Sequence, residues 1–383
     1  ATDMQFNTAS RIFSVKAVGA LSQKYFSDRR AETGHNIILS GGKTGGRYTA
    51  RYGMQVISDG YDPNDMGYLR RNNLFSNEFS FGYNLFTPMG RFNSSRNSIS
   101  ISWNRLYAPS VFNDFVINLS SSSVLTSFWT LFFTGSLMPV GSDDYFESRV
   151  EGRMYHRQPS ALFRTGIESD PRRVFMLGME AVIGRHYLEP GRYKAAIEIN
   201  PSVRFNNRFS GEALFEWALD NNDEGFAGIT DGTIIFGQRN NRTMSTELDF
   251  SYMFSARSYI SFRMREYWAR AAYTGSYFVL EDDGSLTPAP VSRNDNTSYN
   301  AFNADINYTW RFAPGSELTL VLKNSLYDTA GEIPSSLGDN LGELLKLHMT
   351  RSISCKVIWY LDYHTVSSAW KADPRRNRGQ SRT

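Results

Sequence analysis

The sequence turns on "SISCKVIWYLDY", residues 352–363. Every second residue gives Ile353, Cys355, Val357, Trp359, Leu361 and Tyr363, an apolar series that ends in aromatics. The intervening residues, Ser352, Ser354, Lys356, Ile358, Tyr360 and Asp362, are mostly polar or amphipathic. A period of two marks a β-strand, because successive side chains point to opposite faces of a sheet. Cys355 lies on the apolar series and reads as a small buried apolar residue.

The same alternation recurs along the chain. "RYTARYGMQV" (47–56) sets Tyr48, Ala50, Tyr52, Met54 and Val56 against Arg47, Thr49, Arg51, Gly53 and Gln55. "NEFSFGYNLF" (77–86) sets Phe79, Phe81, Tyr83 and Leu85 against Glu78, Ser80, Gly82 and Asn84. "RYKAAIEINPSVRF" (192–205) opposes Tyr193, Ile197, Ile199 and Val203 to Lys194, Glu198, Asn200 and Arg204. "MSTELDFSYMF" (244–254) opposes Leu248, Phe250 and Tyr252 to Glu247, Asp249 and Ser251. "FNADINYTWRF" (302–312) opposes Ile306, Tyr308 and Trp310 to Asp305, Asn307 and Arg311. In "SFRMRE" (261–266), Arg263 and Arg265 share a face with Ser261, whereas Glu266 points the other way.

Runs of about ten alternating residues have the length of a strand that crosses a membrane. The pattern predicts an all-β fold: a transmembrane antiparallel outer-membrane β-barrel of about 18 strands, within a range of about 16 to 20. A soluble β-sandwich also alternates. Here, however, the polar series carries Arg, Glu, Asp and Lys at nearly every step, which suits a wet lumen better than a packed interior. The lumen-lining candidates are Arg47, Arg51, Glu198, Arg204, Glu247, Asp249, Arg263, Arg265, Asp305 and Arg311. Tyr48, Tyr52, Phe79, Phe81, Trp310, Trp359 and Tyr363 are the lipid-facing and girdle candidates. Lumenal arginines either bias a pore toward anions or pair with lumenal carboxylates.

Composition agrees. Aromatics make up 14% of the chain, with 21 Tyr, 27 Phe and 7 Trp, yet mean hydropathy is −0.41. A soluble core hides its aromatics, whereas a membrane barrel carries them outside around a polar interior. No apolar run is long enough for a spanning helix. The net charge of +3 does not point to nucleic acid, and a single cysteine excludes a disulfide framework. The start, "ATDMQFNTAS", lacks a basic and apolar leader and reads as a mature or processed terminus.

Turn signals lie at "SDPR" (169–172), "EPG" (189–191), "NNR" (206–208) and "APGS" (313–316). Counted back from the last strand, 328–350, 281–298 and 220–241 read as outer loops, with "FSARS" and "APGS" as inner turns. Residues 256–281 read as one long strand or two, and upstream of about residue 140 the long–short alternation breaks down. The barrel is expected over 1–370, with a helical segment at 335–350 in an outer loop and a disordered basic tail at 371–383.

Catalytic motifs are lacking. The five histidines are scattered, and no H-E-x-x-H or G-x-S-x-G occurs. No enzyme activity and no cofactor are expected. "SGGKT" (40–44) resembles the end of a phosphate loop, but Ile37 stands where glycine is required and strand follows, so a Gly-rich hairpin turn is the better account. Asp59, Asp62 and Asp65 in "SDGYDPND" are candidate Ca²⁺ ligands, set against ordinary turn chemistry; "DNNDEG" (220–225) and "EDDG" (281–284) are similar.

"YDPNDMGYLRRNN" (61–73), "RQPSALFRTGIESDPRR" (157–173), "FNADINYTWRFAPGSELTLVLKNS" (302–325) and "SCKVIWYLDY" (354–363) resemble an uncharacterised barrel family of Bacteroidota outer membranes. Its most specific mark is Trp310, Arg311, Phe312, Pro314, Gly315 and Ser316. In that family the barrel commonly follows a module resembling family 9 carbohydrate-binding domains. The resemblance implies upstream strands that precede residue 1: either this chain closes alone as a barrel of about 18 strands, or a separate, cleaved upstream fragment is a partner that supplies them. Lipid bilayer, lipopolysaccharide and other outer-membrane complex subunits are further expected partners. Two functions follow: a channel or transport component for small polar solutes or glycans, or a non-enzymatic platform within a larger export, assembly or uptake complex.

Overall fold

The computed structural model describes residues 1–28, 31–65, 67–189, 191–330, 340, 342 and 346–361. The alternating segments form β1 (Thr2–Asn7), β2 (Phe13–Tyr25), β3 (Ala31–Lys43), β4 (Tyr48–Ile57), β5 (Leu74–Leu85), β6 (Phe92–Arg105), β7 (Phe112–Leu125) and β8 (Thr130–Met138). Two three-residue strands follow, β9 (Ser142–Asp144) and β10 (Tyr155–Arg157). The series resumes with β11 (Ser160–Glu168), β12 (Phe175–His186), β13 (Tyr193–Arg204), β14 (Phe209–Thr230), β15 (Thr233–Ser255) and β16 (Ser258–Leu280). It ends with the short β17 (Leu286–Pro288), then β18 (Thr297–Ala313), β19 (Ser316–Ala330) and β20 (Thr350–Ile358).

The strands form one antiparallel up-and-down sheet. β8 pairs directly with β11 across the β9–β10 insertion, and β16 pairs with β18 across β17. Setting aside the three-residue β9, β10 and β17, seventeen of the twenty strands make the wall among the described residues, within the expected range. β1 pairs with β2 and β20 with β19; among the described residues neither has a second neighbour, and they do not pair with each other.

Connections alternate along the whole chain. At one end they are short: 8–12, 44–47, 86–91, 126–129, 169–174, 205–208, 256–257 and 314–315. At the other end lie 26–30, 58–73, 106–111, 139–159, 187–192, 231–232, 281–296 and 331–349. Upstream of residue 140 the connections switch ends regularly but, as expected, their lengths do not alternate long and short: 8–12 equals 26–30 in length, and 86–91 equals 106–111. The expected outer loop at 220–241 is corrected: β14 and β15 run on as a tall hairpin. It closes at Asp231 and Gly232, both at positive φ (49° and 77°), as a two-residue Asp-Gly hairpin turn requires. Register shifts at Asp220/Asp223 and Phe226/Gly228 let these strands depart from strict alternation. Residues 256–281 are one strand, β16, after the short turn.

"SGGKT" closes β3 and enters the β3–β4 turn, where Gly46 adopts φ 91°. Cys355 is exposed rather than buried, because β20 is an edge strand whose every residue is exposed. Most of the 335–350 segment, the 371–383 tail and Tyr363 lie outside the described residues, and Thr350 already belongs to β20.

Register aligns the two series into rows. Phe250, Phe262, Ile306, Leu322 and Ile353 lie side by side from β15 to β20. Tyr52, Phe79, Ile101 and Ile117 do so from β4 to β7. These side chains stay largely uncovered: Tyr48 and Phe79 are each 52% exposed and Ile353 80%. Burying one large apolar side chain is worth about 1.5–3 kcal/mol, so a whole face left open to water is not stable. Among the described residues the packed apolar core is small, with Tyr155, Ile234, Phe236 and Leu280 at its centre.

Candidate functional site

The opposite face carries the charge. Asp249, Arg263, Asp305 and Lys323 stand in one row on β15, β16, β18 and β19. Arg263 pairs with Asp249 and, at 3.5 Å, with Glu247; Arg265 reaches Glu247 at 3.1 Å and Arg311 reaches Glu317 at 3.1 Å. Opposite charges directly across strands attract, but in pairs this accessible each bond is worth only about 0–1 kcal/mol. Arg51 donates to the Ser40 hydroxyl at 2.7 Å, and Arg204 lies opposite Ser210. On β12, β13 and β14 the row is Glu180, Glu198 and Glu216, with Arg164 on Glu180 at 3.1 Å. Higher on the same face, Lys194 pairs with Asp220 at 2.7 Å. A cavity of about 390 Å³ opens along this stretch, lined among others by Arg164, Glu180, Lys194, Glu198 and Glu216.

Nine of the ten residues expected in the lumen wall share this face. Arg47 does not: it precedes β4 in the 44–47 turn, and its guanidinium lies 5.8 Å from the ring centroid of Tyr83. It flanks the aromatic face, where Tyr48 packs on Tyr83 at 5.3 Å and on Phe81 at 6.3 Å. The Tyr52 hydroxyl donates to Asn77 at 2.7 Å, and Phe312 bridges Trp310 and Trp359 at 5.7 and 6.1 Å.

Asp59, Asp62 and Asp65 are not gathered, and among the described residues no three His, Cys, Asp or Glu side chains stand close enough to hold a metal. Asp62 instead accepts hydrogen bonds from Lys24 at 2.9 Å and from the Asn64 backbone and side chain. The Lys24 bond, then those from Asn64, hold its carboxyl down at about 2. "EDDG" and "DNNDEG" are likewise spent on protein contacts: Asp282 pairs with Arg153 at 3.1 Å, and Asp223 with Arg192 and Arg239.

Those last contacts belong to a cluster at the long-connection end that no local motif announces. Arg192, in the β12–β13 connection, is 2% exposed. Its guanidinium donates to the Tyr155 hydroxyl (3.0 Å), Glu224 (2.9 Å), Glu189 (3.1 Å) and Asp223 (3.4 Å). Tyr155 in turn donates to Glu224 at 2.8 Å and packs its ring on Phe236 at 4.9 Å. Burial pushes the Tyr155 phenol far above its usual range, with Arg192 pulling the other way. Burial also raises the Glu224 carboxyl, against the Tyr155 bond and the Arg192 charge. Arg239 joins Asp223 at 3.1 Å and Glu147 at 3.9 Å. The partners come from 147–155, 189–192 and 223–239, so sequence proximity could not assemble them. The one signal was "TIIFG" (233–237), a compact apolar run beside clustered acids.

The register from Arg239 to Tyr252 is unbroken, so Arg239 and Asn241 lie on the same face as Glu247 and Asp249. Phe236, Phe278 and Gln238, opposite Glu224, have the other parity, so the β9–β10 insertion meets both faces of the tall strands: Tyr155 packs on the face of the apolar series, and Glu147 reaches Arg239 on the charged one. Two further bonds hold it: His156 N–H to the Gly284 carbonyl at 2.9 Å, and Arg153 to the Leu280 carbonyl at 2.8 Å.

Among solved structures, the chain is similar to the outer membrane channel DcaP of Acinetobacter baumannii at 10% identity, covering 92% of this chain and 99% of that one with a TM-score of 0.34. No curated protein matches it. The family whose profile matches is described as a domain of unknown function, DUF5916, and the match takes in residues 1–370. An antiparallel sheet with one uncovered apolar face and one salt-bridged face is thus the form taken by a chain that belongs to the DUF5916 family.

Proposed function

We propose that the sheet is the wall of an outer-membrane β-barrel whose charged face lines an aqueous passage for small polar solutes or glycans. One observation carries this reading: across the wall strands an uncovered apolar face backs onto a face of Arg, Lys, Asp and Glu, with all the longest connections, 58–73, 139–159, 281–296 and 331–349, at one end. Lipid is the solvent that accepts such an apolar face, and water is the solvent that accepts the charged one. The long connections then face outward toward lipopolysaccharide, and the short ones toward the periplasm.

The role is non-enzymatic: side chains of the wall pair across strands, and transport needs only a hydrated, charged path. A Bacteroidota origin and an association with a carbohydrate-binding module belong to the same proposal. In lipid an unpaired strand edge strands its backbone N–H and C=O groups at several kcal/mol each. Strands from another segment, an upstream fragment of the same precursor, therefore complete the barrel between β1 and β20.

The insertion packed at the long-connection end favours one second reading, a platform within a larger outer-membrane complex. Planar-bilayer recording separates the two. Stable conductance steps support the channel, and a silent bilayer with correctly folded protein supports the platform.

A further inference from the structure

We infer that the outward face carries a phosphate-binding rim near its long-connection end, where Arg185, Arg242 and Arg270 hold the phosphorylated headgroup of lipopolysaccharide. The inference rests on reading the apolar face as the lipid-facing one. Strand parity places the three arginines on that face. Arg185 continues the series Phe175, Leu177, Met179, Ala181 and Ile183 up β12. Arg242 continues Tyr252, Phe250, Leu248, Thr246 and Met244 up β15. The β15–β16 register is unbroken from Arg239 to Met253, and in it Arg242 lies directly opposite Arg270. Leu219, Ala195 and Ile183 carry the same row across β14 and β13 to β12, so Arg185 stands two residues above it.

Height sets these arginines at the membrane surface. From Tyr252 to Arg242 is ten residues, about 34 Å of strand, which a tilt of about 45° reduces to about 24 Å. The apolar band of an outer-membrane barrel is about 25 Å tall, so with Tyr252 at the lower interface Arg242 reaches the upper one. Phe175 to Arg185 spans the same ten residues on β12.

Charge selects what they meet. On the wall strands from β4 to β18 the outward cations among the described residues are these three and Arg105, which packs on Phe75 at the top of β6. Lys43 at the foot of β3 and Arg351 on the edge strand β20 stand apart. The outward acids nearby, Glu266 and Asp328, lie below the Arg242–Arg270 row. Arg185 and Arg242 are exposed, and among the described residues neither side chain has a hydrogen bond or an ion pair. Cations directly opposite on neighbouring strands repel, and an anion between them turns the repulsion into two attractions. The Arg270 guanidinium lies 5.4 Å from the centroid of the Trp268 ring, which orients it. Guanidinium groups present paired N–H donors that match phosphate oxygens, and anionic headgroups attract such groups at the membrane surface. With the long connections outward, the phosphates in reach are those of lipopolysaccharide.

The test reconstitutes the protein, with any segment that completes it, from native outer membranes into phosphatidylcholine vesicles. These contain lipid A, the glucosamine lipid of lipopolysaccharide, either with its phosphates or dephosphorylated. Native mass spectrometry after mild detergent release counts the lipid A retained on the protein. Retention of the phosphorylated form should exceed that of the dephosphorylated form about tenfold, and the double variant Arg185→Gln, Arg242→Gln should lose that margin. Lys43→Gln, at the other end of the face, should keep it. Equal retention of the two lipids, a margin unchanged in the double variant, or one lost equally in Lys43→Gln overturns the rim and leaves the barrel standing. Protein that does not insert into the vesicles overturns the lipid-facing reading, and the rim with it.

Discussion

At the residue scale the decisive group is Arg192, because a buried cation whose carboxylates are well placed is tolerated only while they stay. Burial works against its charge, and the phenol of Tyr155 with the carboxylates of Glu224 and Glu189 more than offsets that penalty. Arg192→Met leaves Glu224 buried without its cation, while Asp223 keeps Arg239. A loss of about 3–5 kcal/mol is expected, readable by urea titration of the barrel in lipid vesicles. A change inside experimental scatter would show that the cluster is hydrated in solution. Asp62, at the surface, and Asp170, 4% exposed beside accessible arginines, behave differently: Lys24 and Arg172, respectively, hold their carboxyls down at about 2. A carboxyl with a depressed folded pKa contributes stability that is present above its unfolded value of about 3.9 and lost as pH falls toward the folded one. Amide exchange in 58–73 and 169–174 should therefore stay slow down to about pH 4 and quicken between about 4 and 2. Quickening already above pH 5 would contradict the assigned bonds.

At the element scale the faces of single strands were legible and the lengths of some were not. Alternation assigned Arg263, Arg265 and Asp305 to one face and Phe250, Ile306 and Trp310 to the other, as the register has them. The tall β14–β15 hairpin was hidden because "DNNDEG" has turn composition, whereas a strand beyond the bilayer needs no apolar series to stay paired. The β9–β10 insertion was hidden for another reason: its strands are three residues long, too short to show a period. On the charged face, Arg263→Ala removes bonds to Asp249 and Glu247 that are largely solvated. It should cost no more than about 1 kcal/mol while shifting the reversal potential in a salt gradient toward cation preference, because two carboxylates lose their counter-ion. An unchanged reversal potential would place Arg263 outside the conducting path.

At the scale of the whole molecule the question is closure. Apolar rows run from β4 to β7 and from β15 to β20, yet neither outer edge, β1 or β20, has a second partner among the described residues. Sequence could not answer this, because alternation assigns a strand its faces but not its neighbours. Cys355, exposed on β20, is a built-in probe. With intervening strands supplied from another segment, Met4→Cys or Phe6→Cys on β1 should give no disulfide with Cys355 in native membranes under mild oxidation. Efficient cross-linking would mean that β1 and β20 close the barrel directly, since bridged Cα atoms must lie within about 7 Å.

The central claim is that the charged face surrounds water and conducts. Single-channel recording of the folded protein in a planar lipid bilayer tests it most directly, using the Cys355→Ser, Glu198→Cys variant. The account predicts stable conductance steps that fall when a small charged thiol reagent reacts at position 198. A bilayer that stays silent with inserted protein, or steps indifferent to that reaction, would contradict it.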